Sequence, residues 1–200
     1  MAVIESVEIG RVLRASTEGF TCGTRSQEIE FPAFGSYVQT AHPNNDLIVL
    51  GLITAIRIDD DPLVRQLIMA NNINGNTLRD QRENRLVPVE IEVLNIGYVQ
   101  GDVPFYNLPP RPPLSLDPVM LCESSEIEYF TQNLNFLRLI LHSGGGSTPD
   151  LLGASIRKAA NARASEFRRE FLVAAGRQLA GMLSYDLTML QQVLSMIRPE

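Results

Sequence analysis

The chain has 200 residues, 44% of them hydrophobic, and a formal net charge of −6 at pH 7. This length allows one domain, or a barrel of about 100–125 residues with a helical companion, and no apolar run approaches the ~20 residues of a membrane span. The N-terminus lacks the basic and apolar regions of a signal peptide and the two cysteines are isolated, so we predict a cytoplasmic protein with reduced thiols. The acidic balance disfavours direct binding of nucleic acid, which depends on neutralising phosphates.

The pattern of residues 1–123 predicts a small closed β-barrel of about six strands. Val89, Ile91 and Val93 show the period-2 alternation of a half-buried strand. Similar alternation, or a β-branched apolar run, recurs between turn signals. The predicted strands cover residues 7–13, 20–24, 36–40, 47–58, 89–99 and 117–122. At Gly97, near the predicted exit of the fifth strand, the backbone needs a residue without Cβ while Tyr98 still faces inward.

Residues 59–86 interrupt the strand pattern. Three consecutive aspartates and Pro62 are typical of a helix start, and a polar stretch containing Gly75 follows. We therefore predict a helical insertion that projects from the barrel. Its aspartates suit capping and solubility better than cation binding, because three adjacent carboxylates point in different directions.

Residues 108–113 contain four prolines around Arg111. Proline has no N–H to donate to a sheet, so we predict a stiff strap of polyproline II type between two strands. Pro109 and Pro112 also satisfy the PxxP motif of ligands for SH3-type domains. Arg111 lies inside that motif rather than beside it, which favours the structural strap.

Residues 124–200 change to helical spacing and predict a three-helix module. Ser125 and Glu128 form a capping box for the first helix, and Asp186 caps the last. The predicted helices span residues 125–142, 148 to about 183, and 187 to about 197, with a glycine-rich linker at 143–147. Together with the barrel this is an α+β chain.

An apolar face on the second of these helices is the main candidate for a partner-binding surface. Ile156, Phe167 and Phe171 fall within an arc of about 60° on a wheel of 3.6 residues per turn. This face packs either on the other two helices or on another chain. In the first case the helices are a stability cap and partner binding lies on the barrel rim. The predicted partner-binding residues are Phe167, Phe171 and Ile156, with Tyr106 and Arg111 from the barrel half.

Five arginines of the same helix are spread round the wheel, which indicates a solvated face rather than a binding stripe. They are Arg157, Arg163, Arg168, Arg169 and Arg177. Glu166 and Glu170 lie among them, so this helix carries charges of both signs.

The chain shows no motif for catalysis or for a cofactor. Residues 143–150 are rich in glycine, but a P-loop needs a strand before that run and a lysine at its end, and Lys158 comes two turns too late. A four-ligand metal site is an open alternative, although no pair of candidate ligands has local zinc spacing. Its ligands would be Cys22, His42, Cys122 and His142. We predict a protein that is not an enzyme and binds no cofactor or metal.

A series of short segments carries a resemblance to a known family. They are Ile9–Val12 with Phe20, Phe34–Val38, Leu50–Ile56, Val93–Tyr98, and Pro109–Pro113 leading to Pro118 and Val119. In this order they resemble the HAS barrel of HerA-type hexameric DNA translocases and of ATP synthase α and β subunits. The resemblance covers residues 6–123 and implies a barrel that helps to assemble a ring and, in HerA-type proteins, contacts a partner nuclease. An ATPase core with a Walker lysine follows the barrel in those proteins, whereas helices follow here, so ATPase activity is not carried over.

The favoured hypothesis is a non-enzymatic adaptor for protein assembly, with a protein partner or a second copy of the chain. A HerA-type translocase or its partner nuclease is the partner class that the resemblance implies. The alternative is a nucleic-acid-associated module of a DNA repair or translocation complex. Salt-dependent DNA binding by the isolated chain would favour that alternative.

Overall fold

The computed structural model describes residues 7–25, 32–41, 46–58, 88–144 and 147–198. Its strands are β1 (Glu8–Ala15), β2 (Gly19–Arg25), β3 (Tyr37–Ala41), β4 (Leu47–Ile58), β5 (Pro88–Gln100), β6 (Val103–Phe105) and β7 (Pro118–Leu121). Its helices are α1 (Ser124–Phe130), α2 (Leu137–His142), α3 (Thr148–Asn161), α4 (Ser165–Met182) and α5 (Leu187–Met196), with a 3₁₀ turn at Leu134–Phe136. The insertion predicted at 59–86 lies outside the described residues, as do His42 and two glycines of the predicted linker.

The strands close into a six-stranded antiparallel barrel, which confirms the predicted α+β fold. Around the barrel the order is β2-β1-β7-β3-β4-β5, and pairing of β2 with β5 closes the ring. β6 pairs with β5 outside this ring. Closure removes the free strand edges that an open sheet of this size would expose.

The barrel interior is built from the alternating residues that predicted the strands. Val89, Ile91 and Val93 of β5 are buried there, as expected from their period-2 spacing. The other buried residues of this interior are Ile9, Val12, Phe20, Cys22, Val38, Ile53 and Val119. Each large side chain buried in this way contributes about 1.5–3 kcal/mol to folding.

Position 97 requires a residue without Cβ, but the reason differs from the predicted one. The strand does not end there, since β5 continues to Gln100 and turns through Gly101 and Asp102 into β6. Gly97 has φ +149°, and a Cβ would lie 2.4 Å from the Phe105 carbonyl oxygen. The close approach of β6, rather than a strand exit, excludes a side chain.

The predicted helix boundaries need two corrections. The first predicted helix is divided into α1, a 3₁₀ turn and α2, and its cap lies two residues earlier than Ser125 and Glu128. There the Glu126 carboxylate accepts the Glu123 backbone N–H at 2.7 Å. The third helix is capped as predicted, because the Asp186 carboxylate accepts the Met189 N–H at 2.9 Å.

The continuous helix predicted from 148 to about 183 is wrong. α3 ends at Asn161, and Ala164 has extended backbone (φ −58°, ψ 147°) before α4 begins. No glycine or proline lies at this break, and the apolar residues keep helical spacing across it. The sequence pattern therefore gave no sign that the helix ends there. The wheel that grouped Ile156 with Phe171 therefore described a helix that does not exist.

The helices and the outer wall of the barrel share one hydrophobic core. Tyr37, Leu52 and Ile96 of the barrel are buried in the same cluster as Phe136 and Leu152 of the helical region. The Tyr37 hydroxyl also donates to the Ser155 carbonyl at 3.2 Å. The helices therefore cap the barrel wall within one chain.

A glycine allows a close approach between the barrel and the helices. Gly35, in the turn before β3, has φ +74°, and a Cβ on it would lie 2.6 Å from the Cβ of Ala154 in α3. Next to it the Lys158 ammonium donates to the Ser36 hydroxyl at 2.6 Å. Both contacts fix α3 against the start of β3.

Candidate functional site

The structure separates the three residues that were predicted to form one partner-binding helix face. Ile156 in α3 is fully buried, and Phe171 in α4 is 8% exposed. Both belong to the core that joins the helices to the barrel. Phe167, one turn before Phe171, is 53% exposed. Two of the three predicted residues are therefore used within the chain.

Arg163 stabilises the break between α3 and α4. It was predicted to lie on a solvated face, but it is buried. It is 8% exposed and its guanidinium donates to the carbonyls of Ala159 at 2.6 Å and Thr131 at 3.1 Å. The same group lies 3.8 Å from the centroid of the Phe171 ring. Carbonyls at helix C-termini carry partial negative charge, so they can stabilise a buried cation. Burial lowers the pKa of Arg163.

Tyr106 and Arg111 lie on the segment 106–117 between β6 and β7, which we call the strap. The Tyr106 hydroxyl donates to the Phe130 carbonyl at 2.9 Å, and the two rings lie 5.0 Å apart. Tyr106 therefore fastens the strap to α1. Arg111 is exposed and makes no hydrogen bond or ion pair with any residue in the described ranges.

The strap is a structural connection without helix or strand. Pro109 is buried, so the PxxP motif cannot present both of its prolines to an SH3-type domain. At the far end the Asp117 carboxylate accepts the Leu114 N–H at 2.8 Å. The Leu116 N–H donates to the Val12 carbonyl at 2.8 Å, which holds the strap against β1.

Five large apolar side chains of β6 and the strap are exposed, and we call this set of residues the strap surface. Its residues are Val103, Phe105, Leu108, Leu114 and Leu116. Leu116 is 68% exposed at φ +73°, a left-handed conformation that is costly for a residue with a branched side chain. The predicted site included Tyr106 and Arg111 from this region but none of these five residues.

The edge of β6 limits how a partner can use this surface. Among the described strands β6 pairs only with β5, and its central residue is Pro104. Proline offers no N–H, so a partner strand cannot continue the sheet at this position.

One hydrogen-bonded pair in the described part of the chain has the residue types of a nucleophile and its base. Lys158 and Ser36 resemble a serine–lysine pair, and burial lowers the pKa of Lys158. However, Ser36 has no exposed surface, so a substrate cannot reach its hydroxyl. No three His, Cys, Asp or Glu side chains of the described ranges cluster as metal ligands.

Cys22 should be unreactive in the folded protein because it lies in the barrel interior. Burial raises the pKa of its thiol from 9.0 to about 12, so near pH 8 its thiolate fraction falls about a thousandfold. In a Cys122→Ser variant we expect an aromatic disulfide reagent to titrate no thiol in native buffer and one thiol per chain in guanidinium. Rapid reaction of one thiol per chain without denaturant would show that the barrel is open to the reagent near Cys22.

Comparisons with known proteins do not assign the chain to a family. No family model matches it, and no curated protein matches it. The resemblance to the HAS barrel stays a prediction, with which a closed six-stranded barrel is compatible. Within the described residues no helix is long and apolar enough to span a membrane.

Proposed function

We propose that this chain is a non-enzymatic assembly protein that binds a protein partner through the strap surface of a HAS-like barrel. One observation supports this proposal above the others. Five large apolar side chains are exposed on β6 and the strap, while Ile156 and Phe171 of the first candidate face are buried within the chain. In this arrangement the helices act as a stability cap on the barrel wall.

The charge of the strap surface indicates the chemistry of the partner. Between 103 and 116 Arg111 is the single charged residue, and it has no partner within the described ranges. A symmetric contact between two copies would bring two arginines towards each other, and this like-charge repulsion disfavours a dimer through this surface. A different protein that presents a carboxylate among apolar side chains fits better. A HerA-type translocase or its partner nuclease is the class that the resemblance implies.

Leu116→Asp should abolish partner binding without harming the fold. Aspartate tolerates the left-handed conformation better than leucine does, and the new carboxylate disrupts an apolar contact. We expect affinity capture from native extract to recover a partner with the wild type and to lose at least about tenfold of it with the variant, the loss typical of a central interface residue.

Tyr185→Asp is the matched control. Like Leu116, Tyr185 is a large exposed residue, but it lies in the turn between α4 and α5. The Tyr185→Asp variant should recover the partner as well as the wild type does. Equal capture by both variants, or no specific partner for the wild type, would contradict the proposal. Salt-dependent retention of DNA without any protein would instead support the nucleic-acid alternative.

A further inference from the structure

The break between α3 and α4 brings together arginines that a continuous helix would keep apart. Arg157 in α3, Arg168 and Arg169 in α4, and Arg198 just after α5 line one cavity of about 410 Å³. The other lining residues are Ala160, Asn161, Ser165, Leu172 and Ile197. Arg157, Arg168 and Arg169 are exposed as predicted, but they lie on two helices rather than on one.

The described residues that line this cavity carry four positive charges and no negative charge. No Asp or Glu is among its described lining residues, and none of the four arginines forms an ion pair within the described ranges. Guanidinium groups stay charged at any physiological pH, and like charges around one space repel each other. An anion in the cavity would remove that repulsion.

Arg168 is already held in position for such an anion. Its Nε donates to the Arg163 carbonyl at 3.2 Å, and one Nη donates to the Asn161 carbonyl at 3.4 Å. The side chain is thus fixed by the same break that forms the cavity. A fixed guanidinium loses less conformational entropy when it binds an oxyanion.

The start of α4 adds a second attraction for negative charge. Ser165, the first residue of this 18-residue helix, lines the cavity. The N-cap residue is Ala164, which has no side-chain acceptor for the first backbone N–H groups of the helix. These groups and the helix dipole attract an anion that also contacts the arginines.

We propose that this cavity binds a small, multiply charged anion bearing phosphate groups, of the size of pyrophosphate. Its volume is within the range of small-ligand sites. Its described lining residues include no aromatic ring on which a nucleobase would stack. Next to it Glu166 and Glu170 share a cavity with Arg169 and Arg177, so the basic surface is not continuous enough for a nucleic-acid backbone. This site is independent of the strap surface.

Titration calorimetry with inorganic pyrophosphate at low salt tests the proposal. We expect one anion bound per chain, and a loss of affinity of about tenfold or more in each of Arg157→Gln and Arg169→Gln. Both side chains are exposed and make no hydrogen bond within the described ranges, so the variants should fold like the wild type. Arg177→Gln on the same helix, outside this cavity, should bind as the wild type does.

Several results would overturn the inference. They are no binding of pyrophosphate at millimolar concentration, an equal loss in Arg177→Gln, or sulfate binding as tightly as pyrophosphate. Single-stranded DNA that binds more tightly than pyrophosphate, and loses affinity in Arg157→Gln, would instead identify a nucleic-acid contact. Retained capture of the protein partner by Arg157→Gln would show that this site and the strap surface act separately.

Discussion

Replacing Gly97 with valine should destabilise the protein by about 2–6 kcal/mol, the sum of about 1–3 for backbone strain and about 1–3 for overpacking. The position has φ +149°, where a β-branched residue is strained. Its Cβ would also lie 2.4 Å from a backbone oxygen of β6 and 2.8 Å from the Phe130 ring. Denaturant unfolding followed by circular dichroism measures the loss.

Gly181→Ala is the control for this prediction. Gly181 is exposed in α4, and a Cβ added to it would meet no neighbouring atom within 4 Å. Because alanine is a better helix former than glycine, this variant should be stabilised by about 0.5–1 kcal/mol. An unchanged midpoint for Gly97→Val would mean that β5 and β6 are paired in another register.

Phe171→Ala should cost about 3–5 kcal/mol, the usual loss when a buried phenylalanine is truncated. The ring is buried between the helices and lies under the Arg163 guanidinium. We choose alanine rather than a charged residue such as glutamate, because a carboxylate at position 171 would lie beside the Arg163 guanidinium and pair with it. The variant should have the same oligomeric state as the wild type in light scattering, because the face is internal.

Phe167→Ala provides the matched control, with the same change one turn away. Phe167 is mostly exposed, so its loss should change stability by no more than about 0.5 kcal/mol. If Phe171→Ala kept wild-type stability but lost an oligomer that the wild type forms, the face would be intermolecular and the closed packing on the barrel would be wrong.

The barrel could be predicted from the sequence because its determinants are local. Alternation at Val89, Ile91 and Val93 follows directly from the geometry of a strand, and prolines exclude the strap from any ladder. The register and the closure by β2 and β5 depend on pairings that are far apart in sequence. The β6 strand was missed because three residues carry too little pattern.

The helical half was harder to predict because its decisive features are tertiary. The break after Asn161 is held by hydrogen bonds from Arg163 to carbonyls of α1 and α3, and no local residue pattern records such contacts. A helix wheel drawn across the break placed Phe171 on a partner face and scattered the arginines. Exposure of Leu116 is likewise set by the turn that ends the strap, whereas an apolar residue in sequence predicts burial.

Photo-crosslinking from defined positions tests most directly whether the partner binds at the strap surface. p-Benzoylphenylalanine would replace Leu116 in one protein and Phe167 in another, two positions of similar exposure. If the partner binds at the strap surface, we expect a covalent adduct with it from position 116 and none from position 167. An adduct from position 167 alone would contradict it and would return the partner site to the helices.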